Sequence, residues 1–153
     1  SDTRWHRDIR YWNFSTSKLV SVWLALGTEY PENGGLFVIP GSHKIEFQPS
    51  QLDDDLFFRE DVPENQALLD SAVPVELLAG DVLFFHARTL HSASRNKTKQ
   101  SKFSAVFTFR SADNPPIPDS RSAAAGEVVL PELHDGLHAW TQPRPLGISN
   151  ESM

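Results

Sequence analysis

The clearest pattern along the chain is alternation of apolar and polar positions. Leu19-Val20-Ser21-Val22-Trp23-Leu24-Ala25-Leu26 is rich in bulky and β-branched residues, which predicts a buried strand rather than a helix. Similar runs follow at Gly35-Leu36-Phe37-Val38-Ile39, Val75-Glu76-Leu77-Leu78, Asp81-Val82-Leu83-Phe84-Phe85, Arg88-Thr89-Leu90-His91 and Phe103 to Arg110. The breaks between them carry turn chemistry: Glu32-Asn33-Gly34-Gly35, Pro40-Gly41-Ser42, Ala79-Gly80-Asp81 and Arg95-Asn96-Lys97, each suited to reversing the chain.

Many short strands joined by such turns predict an all-β sandwich or barrel with little helix. The helical pieces are expected in the insertion from about Lys44 to Ala72. Asp53-Asp54-Asp55 in that insertion lacks the glycine and distal glutamate of a calcium loop, so it reads as a solvated helix start. After Arg110 the pattern dissolves, and six of the eleven prolines fall at positions 115, 116, 118, 131, 143 and 145. A single domain over 1–153 is expected, with a core of about 4–111 and a loop-rich extension over 112–153.

Composition narrows the chemistry. Fourteen basic against twenty acidic residues give a net charge of -6, which disfavours nucleic acid as a partner. The absence of cysteine excludes disulfides, thiolate metal sites and cysteine nucleophiles, leaving histidine and carboxylate as ligands. No apolar run is long enough for a membrane-spanning helix; no membrane partner and a cytoplasmic location are the expectation. GxSxG, GxxxxGK and GxGxxG motifs are all missing, which argues against serine hydrolases and nucleotide-binding enzymes.

The candidate chemistry lies in three residues. His6 and Asp8 are two apart, so on extended backbone their side chains project to one side and can meet one ion. His91 follows the Asp81 to Phe85 run, where a barrel can return it to His6. Two imidazoles and one carboxylate on one face leave adjacent positions open, as an iron(II) oxygenase requires for a bidentate co-substrate and oxygen. His86 competes for the distal role, but on a continuous strand it faces away from His91, which is preferred.

Trp5-His6-Arg7-Asp8 with Tyr11-Trp12, Val22-Trp23-Leu24-Ala25-Leu26, Glu32 through Pro40-Gly41-Ser42-His43-Lys44, Gly80-Asp81-Val82-Leu83-Phe84-Phe85-His86, and Leu90-His91 through Asn96-Lys97-Thr98 resemble, in that order, the phytanoyl-CoA dioxygenase family. The resemblance implies a double-stranded β-helix, that is a cupin-like jelly-roll barrel, and an iron(II)- and 2-oxoglutarate-dependent dioxygenase that hydroxylates a small organic substrate. By the same resemblance His6, Asp8 and His91 match the metal ligands, His43 a turn residue, and Trp23 a position lining the co-substrate pocket. The carboxylate at Asp8 implies a hydroxylase, since related halogenases carry a small residue there. Arg7 is expected to point away from the metal, and Tyr11, Trp12 and Phe85 are candidate walls of the substrate pocket.

Two positions depart from the family pattern. Relatives usually place an arginine where Lys102 stands, pairing with the distal carboxylate of 2-oxoglutarate; lysine keeps the charge and loses the bidentate fork. The serine that often helps hold that carboxylate is matched by Ala93, with Ser92 and Ser94 on either side and Ser92 as the candidate. Arg110 is the alternative cation, but it lies about 26 Å further along a strand. The family also carries a sizeable portion before its HxD, whereas His6 stands almost at the start here. The first strands are then expected to be lost, replaced or supplied by another chain, so a homo-oligomer through an open sheet edge is expected. The rival readings are a non-catalytic jelly-roll remnant binding a ligand or partner chain, and a cupin-type metal enzyme that does not use 2-oxoglutarate.

Overall fold

A computed structural model describes residues 3–130; the part of the expected extension from Pro131 on, with Pro143 and Pro145, lies outside the described residues. Seven strands are present among the described residues: β1 (Thr3–His6), β2 (Leu19–Ala25), β3 (Leu36–Val38), β4 (Val73–Pro74), β5 (Val82–His86), β6 (His91–Ala93) and β7 (Ser104–Arg110). They form two antiparallel sheets, ordered β1-β6-β3-β4 and β5-β2-β7. Among the described residues, helix is confined to α1 (Pro63–Leu69), α2 (Arg121–Ala124) and short 3-10 turns. This is the mainly-β, two-sheet architecture expected of a jelly roll, although the two sheets do not hydrogen-bond into a closed barrel among the described residues.

The long alternating runs fold as their period dictates. On β2, Leu19, Ser21 and Ala25 are buried on one face with Trp23 partly so, and the strand is paired along its length with β7 and with β5. A separate cluster of Trp5, Ile39, Phe58 and Leu90, with Phe47, Leu52, Leu68 and Leu69 packed against it, seats the 44–72 insertion on the first sheet. The outer face of the second sheet keeps Phe84 and Phe107 in register with Val22, both more than half exposed.

Four expectations change. Val75 to Leu78 is not a ladder strand: the pairing is at Val73–Pro74, and Leu77 makes only an isolated bridge with Glu29. Val75 N still donates to Leu36 O at 2.8 Å, and the chain then leaves β3 to meet Glu29. Arg88 to Leu90 is not strand: Ala87 and Arg88 form a turn closed by Thr89 N donating to His86 O at 2.7 Å, and the strand begins at His91. The acidic triplet does not start a helix: Asp53 Oδ1 accepts the amides of Asp55 and Phe57, and Leu56 takes a left-handed φ of 63°, so it is a tight turn. The predicted restriction of helix to the insertion misses α2 and the 3-10 turn Asp8–Tyr11.

Candidate metal centre

β1 and β6 pair so that His6 lies directly opposite His91, and Thr3 opposite Ala93. Three steps on β1 thus face two on β6, a bulge that brings both Thr3 and His6 to the cavity side. Arg7 continues the extended backbone, with φ -115° and ψ 134°, and Asp8 then opens a 3-10 turn instead of prolonging the strand. The result places Asp8 Oδ1 3.6 Å from His6 Nε2 and 3.4 Å from His91 Nε2. One ligand atom from each of the three residues lies within 4.8 Å of the others, within reach of a single ion whose ligand bonds are about 2 Å long.

The supporting contacts aim these atoms. His6 Nδ1 is 2.8 Å from Arg4 O, and His91 Nδ1 is 3.0 Å from Thr89 O. A carbonyl has no proton to give, so each Nδ1 carries a hydrogen and each Nε2 is the nitrogen aimed at Asp8. Ser21 Oγ donates to Asp8 Oδ2 at 2.5 Å, leaving Oδ1 for the cluster. Burial pushes the Asp8 carboxyl up, but the contacts with His6, His91 and Ser21 outweigh it and hold the group well below the ordinary carboxylate range. Two imidazoles and a carboxylate form a donor set that suits iron(II).

The triad opens on a cavity of about 110 Å³, lined also by Thr3, Trp23, Leu36, Ala93 and Val106. Tyr11 and Phe57 stand edge-on to His6 at 5.8 and 5.9 Å between ring centroids, and Phe85 stands 4.9 Å from His91. Trp12 instead packs toward Phe14, at 6.2 Å, and is not among the cavity's lining residues. Ser92 lies between two lining residues, His91 and Ala93, and strand alternation turns it to the opposite face. His86 sits outside the cluster, stacked on His43 at 5.5 Å. Arg7 points away from the triad as expected, donating to Ser42 O and Ile45 O.

Lys102 is not among the lining residues of this cavity; it lies behind the Trp23 wall. Its Nζ lies 4.9 Å from the Trp23 ring centroid, 3.0 Å from Glu29 Oε2 and 2.9 Å from Ser104 Oγ. Glu29 is 1% exposed and also accepts from Trp23 Nε1 and from Ser104 Oγ. Arg110 is held at the far end of β7 by Glu127. A larger concavity of about 510 Å³ is lined by Glu29 together with Thr28, Glu32 and Glu76, and contains no residue of the triad. Sequence reasoning did not single out Ser21, Glu29, Phe57 or Ser104. Only Ser21 carried a signal, as a hydroxyl at an inward position of an apolar strand.

A family model described as phytanoyl-CoA dioxygenase matches residues 1–104. The peroxisomal phytanoyl-CoA dioxygenase of Homo sapiens is 32% identical over 116 residues, which is 71% of this chain and 33% of that protein. The ectoine dioxygenase of Nocardia farcinica is 26% identical over 126 residues, covering 72% of this chain and 42% of that protein. Among solved structures, the epimerase SnoN in complex with Fe3+, alpha ketoglutarate and nogalamycin RO superposes with a TM-score of 0.67 at 29% identity, over 88% of this chain and 51% of that one. EvdO2 from Micromonospora carbonacea var. aurantiaca, complexed with 2-oxoglutarate, gives 0.55 at 28% identity, over 78% and 49%. The chain spans about a third to two fifths of these curated relatives and about half of these solved structures. With the family model matched over more than half of its length, the chain belongs to the phytanoyl-CoA dioxygenase family.

Proposed function

We propose that this chain works as an iron(II)- and 2-oxoglutarate-dependent oxygenase that hydroxylates a small organic substrate, with His6, Asp8 and His91 as the metal ligands. The observation that carries this reading is the convergence of one atom from each residue within 4.8 Å at the mouth of a cavity. When bound, iron and 2-oxoglutarate supply the oxidation: one oxygen atom of O2 enters a substrate C–H bond, and the other leaves in succinate as carbon dioxide is lost.

The chain's own part is to hold and to shield. Asp8 stays anionic and offers Oδ1, while the backbone carbonyls of Arg4 and Thr89 fix the tautomer and orientation of the two imidazoles. Tyr11, Phe57 and Phe85 pack around those rings and keep water from them. Trp23, Leu36 and Val106 supply an apolar wall against which co-substrate and substrate can be ordered. Trp23, with Lys102 behind it, is assigned to the co-substrate side; Tyr11 and Phe85 are assigned to the substrate side.

Incubating the iron-loaded chain with 2-oxoglutarate, oxygen and candidate substrates should release succinate in step with a product one oxygen atom heavier. Bound iron with no succinate would favour a metal enzyme that does not use 2-oxoglutarate, and no bound iron a ligand-binding remnant. The likeness to an epimerase favours one further reading, in which the product has the mass of the substrate. The exposed Phe84 and Phe107 face and the edge position of β7 support self-association; sedimentation as a monomer would remove it.

A further inference from the structure

We propose that Glu29 is an internal competitor for the carboxylate of the co-substrate, and so a determinant of which 2-oxo acid this chain accepts. The inference rests on the oxygenase reading above. Glu29 occupies a built anion cradle: an ammonium from Lys102, an indole N–H from Trp23 and a hydroxyl from Ser104 converge on its two oxygens at 2.6 to 3.2 Å. Trp23 forms one wall of the cavity that holds the triad, and Lys102 stacks on that same indole. The cation stacked on that wall is therefore already paired with a carboxylate from the chain itself.

Glu29 is not free to withdraw. Its backbone is pinned by Glu29 N donating to Leu77 O at 2.8 Å and Leu77 N donating to Glu29 O at 3.0 Å. Asn33 fixes the flanking residues through Thr28 O and Tyr30 N. Swinging the side chain into the larger concavity would bring it toward Glu32 and Glu76, two further carboxylates, and would leave Lys102 unpaired in a largely buried place. A dicarboxylate such as 2-oxoglutarate must then share Lys102 with a fixed like charge, whereas a 2-oxo acid without a second carboxylate meets no such repulsion.

The test is anaerobic binding to the iron(II)-loaded chain, read from the visible charge-transfer band of a 2-oxo acid chelate, which needs no turnover. Two ligands are compared, 2-oxoglutarate and 2-oxopentanoate, which replaces the distal carboxylate by a methyl group. Wild-type protein should bind the two within about tenfold of each other. Glu29→Gln should tighten 2-oxoglutarate by roughly tenfold or more and leave 2-oxopentanoate nearly unchanged. The neutral pair Glu29→Gln with Lys102→Met, which buries no charge, should lose that gain. A wild-type preference for 2-oxoglutarate beyond about a hundredfold would overturn the proposal without any variant. So would a band that responds equally for both ligands in Glu29→Gln. Absence of any band from iron-loaded protein with either acid would instead overturn the oxygenase reading, and this inference with it.

Discussion

His6 and His91 face each other across the β1–β6 pair with ring centroids 4.3 Å apart and planes inclined at 49°. Both imidazoles of the triad therefore sit on hydrogen-bonded strands instead of loops, and strand pairing brings together residues far apart in the chain. The ladder's backbone bonds do not depend on the ring. His91→Ala should thus fold, as judged by far-ultraviolet circular dichroism, yet fail to retain one iron per chain after anaerobic reconstitution. His86→Ala should retain it. Equal iron content in the two variants would sink the assignment of His91.

Ser21 holds the Asp8 oxygen that does not face the histidines, at 2.5 Å, from a fully buried position on β2. Removing the hydroxyl leaves that oxygen without its donor and lets the carboxylate turn. Ser21→Ala should weaken metal affinity by roughly 10- to 100-fold, the usual effect of losing a contact that orients a ligand. Competition with a chromogenic chelator measures this. An unchanged affinity would show that the histidine contacts alone fix Asp8.

How much is legible in the sequence follows from where each element draws its stability. β2, β5 and β7 are alternating runs with long registers, and their period is visible locally. β1 and β6 span four and three residues, too short for a period to show; they exist because each pairs with the other and because Trp5 and Leu90 share a buried cluster. The triad was readable because HxD spacing and an ordered set of motifs surround it. The state of Lys102 was not, since Glu29, 73 positions away, sits in a loop whose local sequence gives no sign that it turns inward. Ser92 misled for the opposite reason: adjacency to His91 in sequence means the opposite face on a strand.

Burial, with His43, Arg88 and Arg7 nearby, lowers His86 below its ordinary 6.5, and its Nδ1 accepts the Arg88 amide at 3.0 Å, a bond that protonation there would break. As pH falls below about 6.5 the unfolded chain takes up a proton that the folded chain refuses, so stability falls with pH until the folded value is passed. His86→Gln removes this component. The drop in urea midpoint between about pH 7.5 and 5 should be smaller in the variant than in wild type. Parallel pH curves for the two proteins would contradict it.

Arg7, between the two ligands of the HxD segment, reaches across to the Gly41–Ile45 turn. Its Nη2 donates to Ser42 O and Ile45 O, both at 2.7 Å, and its guanidinium lies 3.7 Å over the Phe47 ring. Burial and the nearby Arg88 lower its pKa to about 10, still charged at neutral pH. Ser42 in turn accepts the Leu90 amide on Oγ at 2.8 Å, next to His91. One short turn therefore ties the segment of His6 and Asp8 to the segment of His91. Arg7→Lys keeps the charge but lacks a planar head to stack on Phe47 while spanning two carbonyls. It should cost about 1.5–3 kcal/mol in urea unfolding and loosen iron binding at the same time, because the two ligand segments lose their common anchor. A variant that loses stability with iron affinity intact would mean that the turn supports the fold alone and not the metal geometry.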